Sequence, residues 1–108
     1  MTSITTLISR KTLSRRYVIS AMLQHYYPGI PLLDRERMLD IFTEKTLITV
    51  KCTFIEWLHA EIVSYIRHTY TDYDVLLRNQ DHSVFAKFEA RDKVKPIILS
   101  ILDVYRSL

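Results

Sequence analysis

The chain has 108 residues, 48% of them apolar, with one glycine, three prolines, one cysteine and a formal net charge of +3. That suffices for one domain with its own core and no metal or disulfide support. It leaves too few turn formers for the hairpins of an all-β fold, and no apolar run reaches the roughly 20 residues needed to span a bilayer.

Charge is unevenly placed: four of the fifteen bases and none of the twelve acids fall in residues 1–33, as Arg10, Lys11, Arg15 and Arg16. The stretch SRKTLSRRY, four bases with an aromatic, makes residues 1–12 a basic lead and marks this end for contact with phosphates or an acidic partner. An acid-free Ser/Thr/Arg-rich start is also how a mitochondrial presequence reads, and no secretory signal peptide is visible. Residues 13–108 then read as a single helical domain. Its first helix, 13–27, has Thr12 or Ser14 as N-cap and Leu13, Tyr17, Ile19 or Ser20, Met22, Leu23 and Tyr26 at helical spacing, and it stops at PGIP.

A second helix, 35–44, starts from Asp34 as N-cap and carries Met38, Leu39, Ile41 and Phe42. TLITVKC follows as a linker or irregular helix start, and its Cys52, flanked by Val50, Phe54 and Ile55, reads as a buried thiol in a reducing compartment rather than a nucleophile. The third helix, 54–69, opens on the capping box TFIE, Thr53 to Glu56, with Ile55, Leu58, Ile62, Tyr65 and Ile66 facing the core. Trp57 lies on the opposite side, so another helix or a partner has to cover it. Glu56 and His59 stand at i, i+3, a spacing that can offer two metal ligands, but no second such pair exists and no metal or cofactor is expected.

TDYD repeats the capping pattern for a short fourth helix over 72–79, and Asp81 or Ser83 starts the last segment. In that segment Val84, Phe85 and Phe88 point one way and Ile97, Ile101, Val104 and Tyr105 another, which predicts a kink or break at Pro96. Leu99 and Leu102 fall off the main face, so this helix is apolar nearly all round and belongs in a core or against another chain. The fold class is all-α, a small bundle of four to five helices.

Two stretches carry a family resemblance. EIVSYIRHTYTDYDVLL shows an apolar helix, an Arg-His pair, then Thr, Tyr and Asp before a leucine pair, and ARDKVKPIILSILDVYR adds an Ala-Arg, a valine-rich helix and a closing aromatic-Arg. From about Tyr26 to Arg106 the chain resembles the uncharacterised family numbered 2293 among domains of unknown function, known from fungi and bacteria. The family positions fall on Arg67, His68, Thr71, Tyr73 and Asp74. Glycines of the fungal members ahead of the third helix are replaced by KTLITVKC, and the resemblance implies no activity.

Two readings of residues 65–77 stand. In one, Thr71 and Asp74 cap, Arg67 pairs with Asp72 or Asp74, His68 bonds a carbonyl, and the tyrosines pack at a helix corner. In the other, Arg67, His68 and Tyr73 face outward to recognise phosphate or carboxylate. With no glycine-rich loop and no catalytic constellation, the expected function is a non-enzymatic helical module, an adaptor or subunit of a nuclear or cytoplasmic complex. It would bind protein through Trp57, Leu99, Leu102, Arg67, His68 and Tyr73, with self-association through the last helix. The alternative is a nucleic-acid-binding module using Arg10, Lys11, Arg15 and Arg16, joined by Lys51 and Arg67.

Overall fold

The structure is a computed structural model that describes residues 4–45, 53–78 and 84–107, with side chains of the first segment from Arg15 onward. Five helices and no strand occur among the described residues: α1 Ile4–Tyr26, α2 Leu32–Glu44, α3 Phe54–Tyr70, α4 Tyr73–Arg78 and α5 Val84–Arg106. Cys52, Lys51, His82, the linker TLITVKC and the Asp81 or Ser83 helix start lie outside the described residues.

Helix α1 begins at Ile4, so the basic lead is largely helical and neither Thr12 nor Ser14 caps it. No proline or glycine in 4–12 stands against this. The helix packs chiefly on α2 and buries Ile19 and Leu23, followed by Tyr27 and Ile30 beyond its end, while Tyr17 and Tyr26 are exposed. The turn between α1 and α2 rests on the end of α5. Gly29 donates its N–H to the Tyr105 carbonyl at 2.8 Å, and a Cβ at Gly29 would overlap the Val104 and Ser107 carbonyls. Its φ is not positive, so the glycine is required for close approach and not for its backbone freedom.

Fully buried Ile19, Leu23, Met38, Phe42, Leu58, Ile62 and Ile66 form the centre. Each such side chain contributes about 1.5–3 kcal/mol by leaving water. On α2 and α3 the expected faces hold, except that Ile41 and Ile55 are exposed. The capping box closes as expected: Thr53 Oγ1 accepts from the Glu56 N–H at 3.2 Å, and the Thr53 N–H donates to Glu56 Oε2 at 3.3 Å. At the start of α4, Thr71 Oγ1 accepts from the Tyr73 N–H at 3.2 Å, but Asp74 does not reach back as a capping partner and turns to His68 instead.

Two expectations are corrected. Helix α2 starts at Leu32 behind Pro31 and has no side-chain cap, so Asp34 is not an N-cap but a buried acceptor, 5% exposed. Helix α5 runs through Pro96 as one element, so of the expected kink or break the break is absent. Its buried row is Ala86, Ala90, Val94, Ile98, Leu102 and Tyr105, against α3 and α4. Steps of four residues follow the ridge that winds slowly about a helix, so the apolar direction rotates along α5 without any break. Pro96 is exposed, as is Asp92, whose carbonyl loses its intrahelical donor, and water can satisfy that oxygen.

Candidate interaction surface

Arg67, His68, Thr71, Tyr73 and Asp74 come together, but mostly to hold the α3–α4 corner. His68 Nδ1 lies 2.8 Å from Asp74 Oδ1, the Arg67 guanidinium sits 5.3 Å from the centre of the Tyr73 ring, and the Thr71 hydroxyl donates to the Arg67 carbonyl. Tyr73 is 5% exposed, with its hydroxyl accepting from Arg91 Nε at 3.4 Å. It is therefore not an outward recognition residue, because its ring is needed under the corner. Arg67 stacks on that ring rather than pairing with Asp72 or Asp74 among the described contacts, and His68 meets a carboxylate rather than a carbonyl.

Trp57 is half-buried. The helix that covers it is α2, through an edge contact with Phe42 at 6.2 Å between ring centres, together with Phe54 from its own helix at 5.4 Å. Leu102 is 3% exposed, a member of the α5 core row, and so is not free for a partner. Leu99 is 50% exposed and remains available.

Two of the four N-terminal bases are used within the chain. Arg16 pairs with Asp40 at 2.8 Å and Glu36 at 3.1 Å, and Arg15 donates to the Lys45 carbonyl. The side chains of Arg10 and Lys11 lie outside those described. The Glu56–His59 pair also has other employment: Glu56 caps α3, and His59 Nδ1 meets the Tyr27 hydroxyl at 2.7 Å. Among the described residues no group of three His, Cys, Asp or Glu side chains can hold a metal ion, and no helix is long and apolar enough to cross a membrane.

One exposed apolar surface is the outer side of α5, beside others such as Leu32 and Leu33 at the start of α2. Val84 is 85% exposed, Phe85 71% and Phe88 72%. Of the two places the sequence leaves open for this helix's apolar residues, a core or another chain, the core side of α5 is taken by the small side chains of Ala86 and Ala90, which let it approach its neighbours closely. Phe88, Arg91, Asp92 and Lys95 line a shallow groove of about 200 Å³. Positions 84, 88, 91, 95 and, at its edge, 99 follow the alternating three- and four-residue steps of a helix–helix seam.

A family model described as an uncharacterized conserved protein (DUF2293) matches residues 22–106. No curated protein and no solved structure matches the chain.

Proposed function

The chain belongs to the uncharacterized conserved family DUF2293, and from that premise, which brings no activity with it, we propose a non-enzymatic interaction module that pairs through the outer face of α5. The observation that carries the reading is the seam of Val84, Phe88 and Leu99 with Arg91, Asp92 and Lys95 between them. Water exposure of the Phe88 ring is unfavourable by about 1.5–3 kcal/mol relative to burial. A covering partner removes that penalty.

The occupant proposed is a second copy. When two α5 helices run antiparallel about a two-fold axis between Arg91 and Asp92, each Arg91 faces the other copy's Asp92. Phe88 then faces Lys95, whose alkyl stem and ammonium suit an aromatic ring, and Val84 faces Leu99. Such a seam is self-complementary in both charge and apolarity. Phosphate recognition by the N-terminal bases draws less support, with Arg15 and Arg16 engaged by α2 and its end.

Charge reversal tests the pairing by light scattering on a sizing column. The wild type should elute with a dimer mass, and Arg91→Asp or Asp92→Arg alone should weaken association by about tenfold or more, since each places like charges opposite one another. The double variant, or a mixture of the two single variants, should recover it. A monomer at every concentration, or a dimer indifferent to these changes and to Phe88→Asp, would refute the reading, even if a different protein were then captured on the same face.

A further inference from the structure

His59 acquires a second role from the company it keeps. Where the end of α1, the first turns of α3 and the last turn of α5 meet, a cleft of about 420 Å³ is lined by Tyr26, Tyr27, Ile55, Glu56, His59 and Arg106. Pockets for small ligands fall between about 300 and 1,000 Å³. The contact between the Gly29 turn and the Tyr105 carbonyl holds the α1 and α5 sides of the cleft together.

Two contacts of Nδ1 bear on the protonation of His59. Its Nδ1 lies 2.7 Å from the Tyr27 hydroxyl and 3.4 Å from an Arg106 guanidinium nitrogen. With its proton on Nε2, Nδ1 accepts from the Tyr27 O–H and no ring N–H faces the guanidinium, which has only donors. The ring is then neutral, with its proton on Nε2. Burial, and after it the Arg106 charge, lower the His59 pKa from its ordinary value, which agrees with a neutral ring. No hydrogen bond from Nε2 is formed among the described residues. Arg106 lies over the Tyr27 ring, 5.8 Å from its centre, and is in none of the ion pairs made by the described residues.

A cation and a neutral N–H donor thus share one cleft with apolar walls from Tyr26 and Ile55. We infer that this cleft binds the carboxylate of a small organic acid, with Arg106 supplying the charge and His59 Nε2 a directional hydrogen bond. Arginine suits a carboxylate because its planar fork matches two oxygens. Glu56 sets the limit. Its carboxylate is drawn back to the Thr53 N–H at 3.3 Å, yet it remains a negative charge on the cleft wall, so a singly charged group is favoured over a phosphate dianion.

Benzoate is the probe, with inorganic phosphate at matched ionic strength beside it, and the signals of the His59 ring in NMR spectra are the readout. His59→Gln identifies those signals by their loss. Benzoate should shift them saturably. Arg106→Gln should weaken that response by about tenfold, and without ligand should raise the His59 pKa, a change that a purely structural arginine elsewhere would not produce. Glu56→Gln, which still caps α3, should tighten benzoate binding. No saturable shift, an equal shift in folded Arg106→Gln, or tighter binding of phosphate than of benzoate would overturn the assignment.

Discussion

Asp34 is a carboxylate folded away from water with two phenols aimed at it. Tyr65 donates to Oδ1 at 2.7 Å, and Tyr70 reaches both oxygens at 2.7 and 2.8 Å. This ties α2 to both the middle and the end of α3. Asp34→Ala should cost about 2–4 kcal/mol, because it removes charge-assisted hydrogen bonds and leaves a buried phenol unpaired. Tyr70→Phe should cost about 1 kcal/mol, since its ring is partly exposed and Tyr65 still holds the carboxylate. Urea titrations of the three proteins check the order, and an Asp34→Ala protein as stable as wild type would show that the cluster holds nothing together. At this scale the sequence was misleading: an aspartate near a helix start reads as a cap, while its partners lie 31 and 36 positions away and no local pattern reports them.

Elements were far more legible, because their signals are local. The Thr53–Glu56 box and the PGIP stop depend on neighbours within four residues, and both stand where expected. Helix α5 was harder. The large residues Val84, Phe85 and Phe88 dominate a hydrophobicity wheel, but burial along a crossing ridge selects every fourth residue and favours the small ones where helices touch. Pro96 then looked like the cause of a change in apolar direction that the ridge itself produces. Because Pro96 is exposed and its helix continuous, Pro96→Ala should restore one backbone hydrogen bond and raise stability by about 1–3 kcal/mol. Thermal unfolding measures this, and a lower melting temperature would mean that the proline bends α5 to fit its neighbours.

For the whole molecule, the buried phenols set an alkaline limit. Burial, and then the hydrogen bond to Asp34, push Tyr65 up from 10.0 to about 12. Burial raises Tyr105, and the hydrogen bond to Asp34 raises Tyr70. A folded-state pKa above the unfolded value favours the neutral phenol, so this stability is complete below pH 10 and is lost as pH climbs from 10 through about 12. His59 acts in the opposite sense on the acid side. Its lowered pKa makes the folded state bind fewer protons, so its contribution is complete above 6.5 and declines as pH falls below that value. The tyrosinate absorbance of Tyr65 and Tyr105 should therefore appear only with loss of the helical circular dichroism signal. A single stage near pH 10 with the fold intact would remove the basis for an alkaline limit.

The amino-acid sequence by itself determined the helical class, the capped start of α3, the stop at PGIP and the family, because glycine scarcity, capping residues and apolar spacing act through near neighbours on the chain. Which face of α5 goes inside, what Asp34 serves, and the meeting of Tyr27, His59 and Arg106 were decided only by tertiary packing. Each depends on groups from separate helices whose distances are set by the fit of side-chain volumes, and that fit exists only once the helices cross.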